Sequence, residues 1–504
     1  MNQLSPIHDL LIIGGGINGT GIAADAAGRG LNVVLCEMND LASGTSSAST
    51  KLIHGGLRYL EQYEFRLVRE ALGEREVLLH NAPHLIKPMR FRLPHMPHLR
   101  PKWMIRAGLF LYDSLSRRVT LPGSRGIKFN DSDPLVESLK DGFEYSDAWV
   151  DDSRLVVTLA QCAREKSADI RVRSKCVGVS AQNNMWRVEL KNEITGELET
   201  VLARCIVNAS GPWVGQSFDG SQMAYKHRDV RLVKGCHIVV PRMHAGEESY
   251  MLQNDDGRVV FVIPYEHDFT LIGTTDEDFT GDPSEAEISE REKDYLINIV
   301  NTYFRKQISS ADVLHSFAGV RPLLDDGEGS ASEVSRDYTL DMDTSEAPLL
   351  TVYGGKITTY RCLAESAMEE LEKIFPQMGG PWTQTEVLPG SQFESPSQLL
   401  DELTKRFSWA SSEQLCRWAS SYGSCTYKML EGVDCAADLG EDFGFGLSAR
   451  EVDYMCEQEW AFSVDDILWR RSKLGLRLEP LQVAKLEGYL LGRKKAITAA
   501  WTYT

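Results

Sequence analysis

A glycine-rich turn near the start of the chain constrains the fold more than any other feature. Gly14, Gly16 and Gly19 form the pattern GxGxxG, directly after the apolar run Leu10–Ile13 and before an Ala- and Gly-rich segment, residues 17–29. In this pattern the first glycine permits a tight turn, the second lets the backbone approach a pyrophosphate, and the third lets helix and strand pack closely. The sequence therefore predicts a βαβ unit that binds a dinucleotide, with the N-terminus of its helix facing the phosphates.

The segments that follow this turn bear on which dinucleotide is bound. The second strand, residues 31–36, ends at Glu37, where an acidic side chain is expected to bind a ribose hydroxyl. The hydroxyl-rich segment Thr45–Lys51 suits a second approach to a pyrophosphate and a flavin, although an exposed polar loop would have the same composition. Two later turns, Asn208–Gly211 and Gly354–Tyr360, follow further strands, and a helix beginning at the second could stabilise reduced flavin. Together these segments favour FAD over NAD.

Length, charge and cysteine content restrict the class of protein. The chain has 504 residues, more than one hydrophobic core accommodates, so two or three domains are expected. The formal net charge of -18 argues against nucleic acid as a partner, because phosphate backbones are bound by clustered Lys and Arg. The ten cysteines form no CxxC pair, which predicts reduced thiols in the cytoplasm and no metal site. We expect no signal peptide, and no apolar run reaches the ~20 residues of a membrane span, so any membrane contact should be peripheral.

The periodicity of the sequence changes along the chain. Alternation in residues 186–190 and apolar runs within residues 231–275 predict antiparallel strands, whereas the pattern after Gly390 is helical. We therefore expect an α/β protein with a Rossmann-like FAD-binding domain, an antiparallel-β substrate domain and a C-terminal all-α domain. The expected ranges are 1–90, 145–225 and 315–385 for the discontinuous FAD-binding domain, 91–144 and 226–314 for the substrate (cap) domain, and 386–504 for the helical domain.

A set of distinctive motifs is spread over nearly the whole chain: Ser49–Leu60, Phe143–Asp147, Val150–Asp152, Lys234–Pro241, Ile272–Asp276, Gly319–Leu323, Gly354–Arg361 and Asp465–Arg471. They resemble the motifs of FAD-dependent glycerol-3-phosphate dehydrogenases, and most closely those of the aerobic, respiratory branch of that family. Cys236 departs from the pattern, since a small residue, often serine, is expected there.

The resemblance implies an activity and a cellular setting. Glycerol 3-phosphate would lose a hydride from C2 to flavin N5, giving dihydroxyacetone phosphate, and the electrons would pass to ubiquinone or menaquinone. The enzyme would be cytoplasmic, peripherally associated with the inner membrane surface, and a homodimer. The FAD-binding residues expected from the motifs are Gly14, Gly16, Ile17, Asn18, Gly19, Glu37, Thr45, Ser46, Ser47, Lys51, Leu52, His54, Gly55, Ser210, Gly211, Gly355, Lys356, Thr358 and Thr359.

The substrate implied by the resemblance needs cations and a proton acceptor. Guanidinium groups bind a phosphate dianion through two hydrogen bonds, and an imidazole titrates near neutral pH. The residues expected to bind substrate are Arg58, Tyr59, Arg321 and Lys356, and those expected to be catalytic are His54, His237 and Arg321. The sequence does not decide which histidine is the base, and His237, in an apolar run, would equally suit a structural role.

Other functions share parts of this pattern. A glycerol-3-phosphate oxidase would pass the electrons to oxygen, and an amino-acid oxidase of the same fold would bind a carboxylate where the phosphate is expected. A non-catalytic flavin-binding protein would need neither the histidines nor the cations. Separately, the basic, aromatic stretch of residues 100–112 can lie in a membrane interface, but we expect a mostly buried helix with a basic end.

Overall fold

The computed structural model describes residues 7–60, 63–216, 228–324 and 337–501, without the side chains of Arg58 and residues 494–501. Strands in these ranges are β1 Ile7–Ile13, β2 Val33–Cys36, β3 Leu52–Ile53, β4 Ile86–Pro94, β5 Arg125–Lys128, β6 Asp141–Val150, β7 Asp169–Arg171, β8 Ser174–Gln182, β9 Met185–Asn192, β10 Leu198–Asn208, β11 Val230–Pro241, β12 Ser249–Gln253, β13 Val259–Tyr265, β14 Phe269–Gly273, β15 Glu277–Asp278, β16 His315–Leu324, β17 Thr339–Asp343 and β18 Leu349–Tyr353. The α-helices are α1 Ile17–Gly28, α2 Phe65–Asn81, α3 Lys102–Ser114, α4 Asp152–Glu165, α5 Glu290–Tyr303, α6 Tyr360–Glu372, α7 Pro396–Arg406, α8 Ser412–Tyr422, α9 Thr426–Met429, α10 Ala449–Glu459 and α11 Pro480–Trp501.

The first sheet is built on parallel strands in the order β18-β10-β1-β2-β7, with β17 antiparallel at one edge. Strand β2 and most of β1 are apolar and buried, as expected for strands covered on both faces. Helices α1, α4 and α6 pack on one face. Strand β9 pairs antiparallel with β10, and β8 pairs antiparallel with β9. These two strands cover the other face through side chains such as Trp186 and Val188.

The second sheet is mostly antiparallel, in the order β15-β11-β14-β13-β12-β4-β6-β3, with β16 on β11 and β5 on β6. Helix α5 packs on one face, and α2 and α3 pack on the other. Strand β16 and the strands β3, β4 and β6 are hydrogen-bonded into this sheet. The domain ranges expected from the sequence place β16, β3 and parts of β4 and β6 in the FAD-binding domain. The difference arises because a short apolar run shows that a strand forms but does not show which sheet it joins.

The C-terminal part, helices α7–α11, has a hydrophobic core of its own that includes Leu403, Trp418 and Met455. The predicted architecture of a dinucleotide-binding α/β layer, an antiparallel sheet and a helical C-terminal part is confirmed. In the part of the chain that the structure describes, no helix is long and apolar enough to cross a membrane.

Helix α3 carries the basic, aromatic stretch and lies on the surface. Only Ile105, Leu109 and Tyr112 of this helix are buried. Trp103 and Phe110 are 72% and 67% exposed. The expectation of a mostly buried helix is therefore wrong: one face of α3 anchors it to the second sheet, and the other leaves large apolar side chains in contact with solvent.

Candidate functional site

A deep cleft of about 740 Å³ opens where the parallel strands of the first sheet end. Gly14, Glu37, Ala209 and Gly354, the residues directly after β1, β2, β10 and β18, all line it. Ligands in open parallel sheets bind at this carboxyl edge. Residues of the second sheet, among them Phe261 and Arg321, form the opposite wall.

The glycine turn after β1 has no room for side chains. Gly14 has a φ of +114°, and a Cβ there would lie 2.5 Å from the carbonyl oxygen of Ala209. A Cβ on Gly19 would lie 1.9 Å from the carbonyl oxygen of Gly14. The Ser46 hydroxyl accepts a 3.0 Å hydrogen bond from the backbone N–H of Ile17, the first residue of α1. At this turn and at the N-terminus of α1, backbone atoms rather than side chains therefore face the cleft. This arrangement suits a phosphate group.

Glu37 is placed by two backbone amides. Its Oε2 accepts from the N–H of Gly15 and its Oε1 from the N–H of Asn39, both at 2.7 Å. Burial raises the pKa of the Glu37 carboxyl above its usual value, and these two hydrogen bonds oppose that rise. Each oxygen keeps a second lone pair, so the carboxylate can accept a hydroxyl such as that of a ribose.

The hydroxyl-rich segment lies along the cleft wall. Thr45, Ser46, Ser49 and Thr50 line the cleft, and the Thr45 hydroxyl donates to the carbonyl of Val320 at 2.5 Å. This bond links the first part of the chain to β16 in the second sheet.

Lys51 turns away from the cleft, contrary to its expected contact with the cofactor. Its Nζ lies 2.8 Å from Oδ1 of Asp152 and donates to the carbonyl of Ser47 at 3.1 Å, and the side chain is 2% exposed. The Asp152 carboxylate also accepts from the Ser49 hydroxyl at 2.7 Å. Lys51 therefore contacts the hydroxyl-rich segment on the side that faces away from the cleft.

The turn after β18 meets the glycine turn. Gly354 and Gly355 have φ values of +70° and +95°, and a Cβ on Gly355 would lie 2.9 Å from Nδ2 of Asn18. The Asn18 amide donates to the carbonyl of Gly354 at 3.1 Å. Its Oδ1 is buried and accepts no hydrogen bond from any residue in the described ranges, although Asn18 lines the cleft. A buried acceptor of this kind is stabilised by a donor group on a bound ligand.

Two of the expected cations come from different sheets: Arg321 lies on β16, and Lys356 follows β18. Arg321, on β16, is hydrogen-bonded to Asp276, and its Nη2 lies 3.4 Å from Oγ1 of Thr274. Nζ of Lys356 lies 3.9 Å from the centre of the Tyr59 ring, a cation–π contact. Arg321, Lys356 and Tyr59 all line the cleft, whereas the side chain of Arg58 lies outside the described residues.

The two candidate histidines are placed differently. His54 lines the cleft, and its backbone N–H donates to the Thr358 hydroxyl at 3.3 Å. His237 is 1% exposed and stacks on Phe317 with ring centres 5.0 Å apart. Its Nε2 lies 3.0 Å from the Thr50 hydroxyl, while its Nδ1 has no hydrogen-bond partner among the described residues. Burial lowers the pKa of His237 well below its usual value, and the charges of Arg321 and Lys51 lower it further.

The cleft thus brings together most of the residues singled out in the sequence. Those that do not line it are packed behind its wall; the N–H of Gly55, for example, donates to the Tyr112 hydroxyl at 2.8 Å. The residues of this group are Gly19, Ser47, Lys51, Gly55, Thr359 and His237. Sequence reasoning gave no role to Phe261 and Thr274 and treated Thr50 only as part of the hydroxyl-rich segment, although Thr50 and Thr274 stand inside two of the distinctive motifs and could have been singled out there.

Comparison with known proteins decides the family. The model of the family described as FAD dependent oxidoreductase (DAO) matches residues 9–361. The chain belongs to this family of FAD-dependent oxidoreductases. Its cofactor is FAD, so the preference for FAD over NAD is confirmed. The glycine turn without side chains, the Glu37 carboxylate and the buried Oδ1 of Asn18 fit this dinucleotide.

Within the FAD-dependent oxidoreductases, similar proteins match almost the whole chain. A glycerol-3-phosphate dehydrogenase of Pseudomonas aeruginosa is 54% identical over 97% of this chain and 96% of its own length. A D-erythritol 1-phosphate dehydrogenase of Brucella abortus is 51% identical over 93% of this chain and 95% of its own. The crystal structure of a Bacillus halodurans glycerol-3-phosphate dehydrogenase complexed with FAD has a TM-score of 0.75 and 27% identity, covering 98% of this chain and 91% of its own. The resemblance noted in the sequence is confirmed.

Proposed function

We propose that this protein oxidises sn-glycerol 3-phosphate to dihydroxyacetone phosphate and passes the electrons to a membrane quinone. The observation that carries the proposal is that Arg321 and Thr50 both line the FAD cleft, and that the Thr50 hydroxyl lies 3.0 Å from Nε2 of the buried His237. A cation and a hydroxyl that leads to an imidazole, both on the wall of one cleft, match a substrate with a phosphate and a secondary hydroxyl. FAD, when bound, supplies a two-electron acceptor for the hydride on the neighbouring carbon.

Arg321 is the proposed phosphate-binding group. Its hydrogen bonds to Asp276 and Thr274 orient the guanidinium before a substrate arrives, and such preorganisation lowers the entropy cost of binding. Lys356, held over the ring of Tyr59, adds a second positive charge on the cleft wall. A dianionic phosphate can contact both cations, whereas an amino-acid carboxylate carries a single negative charge beside its own ammonium group.

His237 is the proposed proton acceptor, reached through the Thr50 hydroxyl. In the ligand-free protein its imidazole is neutral near pH 7, because burial and the neighbouring Arg321 and Lys51 lower its pKa. A phosphate dianion beside Arg321 offsets part of that positive charge, so binding of substrate raises the pKa of His237 again. The substrate thereby strengthens the base that accepts its own hydroxyl proton.

A polyol phosphate with a longer carbon chain is the second candidate substrate, and the Brucella relative favours it. Both substrates present the same phosphate and the same type of secondary alcohol, so Arg321, Lys356 and His237 serve either. The experiment is a comparison of kcat/KM for sn-glycerol 3-phosphate, D-erythritol 1-phosphate and unphosphorylated glycerol. We expect kcat/KM to be highest for sn-glycerol 3-phosphate and glycerol to be inactive. A higher kcat/KM for D-erythritol 1-phosphate would identify that compound as the substrate instead.

The exposed face of α3 is the proposed contact with the membrane. Trp103, Met104 and Phe110 are exposed on this helix, and Lys102 and Arg106 lie beside them. Aromatic and basic side chains on one amphipathic helix bind the interface of an anionic bilayer. A protein held there can meet a quinone, whereas an oxidase needs no such surface.

Reduction of a soluble quinone analogue without hydrogen peroxide in air is expected, and stoichiometric hydrogen peroxide would identify an oxidase instead. The homodimer stays a prediction.

A further inference from the structure

The C-terminal helical domain is tied to the FAD-binding part of the chain by buried ion pairs. Arg470 and Arg471 end one of the distinctive sequence motifs, and both contact Asp40 in the loop after β2. Arg471 donates to the two Asp40 oxygens at 2.8 Å each, and Nε of Arg470 donates to one of them at 2.6 Å. Arg471 and Asp40 are 0% and 1% exposed. A bidentate pair of this kind fixes the relative position of its two partners.

The loop that carries Asp40 shapes the cleft. Asp40 is three residues after Glu37, whose carboxylate accepts from the N–H of Gly15. The N–H of Ala42 donates to the carbonyl of Gly15 at 3.0 Å. The loop is therefore hydrogen-bonded to the glycine turn and ion-paired with the two arginines of the C-terminal domain.

Asp466 extends the contact to the turn between β7 and β8. Its carboxylate accepts from Arg173 at 2.8 Å and is also paired with Arg470. Burial opposes ionisation of Asp466, but the charges of Arg173, Arg470 and Arg471 outweigh burial and lower its pKa. The backbone N–H of Arg173 donates to the carbonyl of Asn39 at 3.0 Å. We call Asp40, Arg173, Asp466, Arg470 and Arg471 the ion network.

A second link reaches the hydroxyl-rich segment. Nζ of Lys473 donates to Oδ1 of Asp151, the residue that caps α4, at 2.8 Å. The next residue, Asp152, holds Lys51 and the Ser49 hydroxyl behind the cleft wall. The C-terminal domain thus contacts the loop after β2 directly and reaches the hydroxyl-rich segment through Asp151 and Asp152, although none of its residues lines the cleft within the described ranges.

We propose that the C-terminal domain positions the FAD-binding loops through the ion network and the Lys473–Asp151 pair, and thereby sets the affinity for FAD. Its residues are positioning residues, since they act through Glu37, the glycine turn and the hydroxyl-rich segment. The proposal rests on the cofactor of the family and is independent of which alcohol the enzyme oxidises.

The test is the dissociation constant of FAD for full-length variants, measured by titrating the FAD-free protein and following flavin fluorescence. Arg470→Gln is the first variant, because Arg470 is 16% exposed and solvent can replace its contacts. Asp40→Asn is the second. Each should raise the dissociation constant about tenfold or more, the effect of losing one charge-assisted hydrogen bond. The KM for the substrate at saturating FAD should not change.

The matched control is Glu451→Gln, which breaks the buried Arg417–Glu451 pair inside the C-terminal domain. This variant should lower the melting temperature at least as much as Arg470→Gln and leave the FAD dissociation constant unchanged. Unchanged FAD affinity in Arg470→Gln overturns the proposal. A weakening of FAD binding in Glu451→Gln equal to that in Arg470→Gln also overturns it, because general destabilisation would then explain both. If Asp40→Asn does not fold, Lys473→Met takes its place with the same expectation.

Discussion

The hydroxyl of Thr50 lies 3.0 Å from Nε2 of His237. Thr50 lines the FAD cleft, whereas His237 is 1% exposed, so this hydroxyl is the contact through which the imidazole meets the cleft. The two residues are far apart in the sequence: Thr50 precedes β3 and His237 lies in β11, two strands of the second sheet. Their contact connects the proposed proton acceptor to the cleft.

Thr50→Val tests whether the Thr50 hydroxyl connects the substrate to His237. We expect kcat to fall about 10²-fold, the lower end of what a positioned proton acceptor contributes, with FAD still bound. Steady-state kinetics combined with the flavin content per chain checks it. Thr50→Ser keeps the hydroxyl and should retain most of the activity, whereas full activity in Thr50→Val would remove His237 from the mechanism and favour His54.

Arg321→Ala tests the phosphate contact. Loss of a partly buried charged partner typically weakens binding by about 2–5 kcal/mol, so kcat/KM should fall by about 30-fold or more, while the flavin content stays unchanged. The kcat/KM of Arg321→Lys should lie between that of the wild-type protein and that of Arg321→Ala, because an ammonium group keeps the charge but cannot donate two parallel hydrogen bonds. Arg305→Ala, a surface arginine, is the control. Turnover that survives in Arg321→Ala with flavin bound would show that the phosphate binds elsewhere.

Gly19→Ala tests the glycine turn. The added Cβ would lie 1.9 Å from the carbonyl oxygen of Gly14, so the turn must move and FAD should be lost on purification. Gly108→Ala is the control: Gly108 lies in α3, and a Cβ there meets nothing within 4 Å. That change should be neutral or stabilise the protein by up to about 1 kcal/mol, from the helix propensity of alanine. Normal flavin content in Gly19→Ala would contradict the close packing seen at this turn.

Two buried histidines, His84 and His237, and two partly buried ones, His244 and His315, predict how stability depends on pH. Burial lowers the pKa of His84 to about 3 and also lowers the pKa of His237, His244 and His315. Below about pH 6.5 the unfolded chain binds protons at these positions and the folded chain does not, so the free energy of unfolding should fall as the pH drops from about 7.5 to 6. Urea midpoints over this range check the sign, and His84→Gln should reduce the slope. A midpoint that rises on acidification would contradict the prediction.

The exposed face of α3 predicts binding to anionic vesicles. Replacing Trp103 and Phe110 with Ser should reduce the fraction of protein that sediments with such vesicles, because both side chains are more than half exposed. The activity with a soluble quinone analogue should not change. Unaltered sedimentation of the double variant would assign membrane contact to another surface.

Local patterns account for the parts of the fold and site that the sequence predicted. The GxGxxG turn, the apolar strands β1 and β2 and the acid at Glu37 are neighbours in sequence, so periodicity and turn chemistry specify them. The sheet to which β16 belongs was not predictable, because its partner β11 lies far away along the chain. The direction of Lys51 was not predictable either, since its orientation depends on the buried carboxylate of Asp152. Both depend on tertiary contacts that no local pattern contains.

The most direct test of the central claim is anaerobic titration of the FAD-bound protein with sn-glycerol 3-phosphate, followed by the visible absorbance of the flavin. We expect the flavin to be bleached in wild-type protein, with dihydroxyacetone phosphate formed in an amount equal to the flavin reduced. Arg321→Ala should be bleached far more slowly. Flavin that stays oxidised in the wild-type protein at saturating sn-glycerol 3-phosphate would contradict the account.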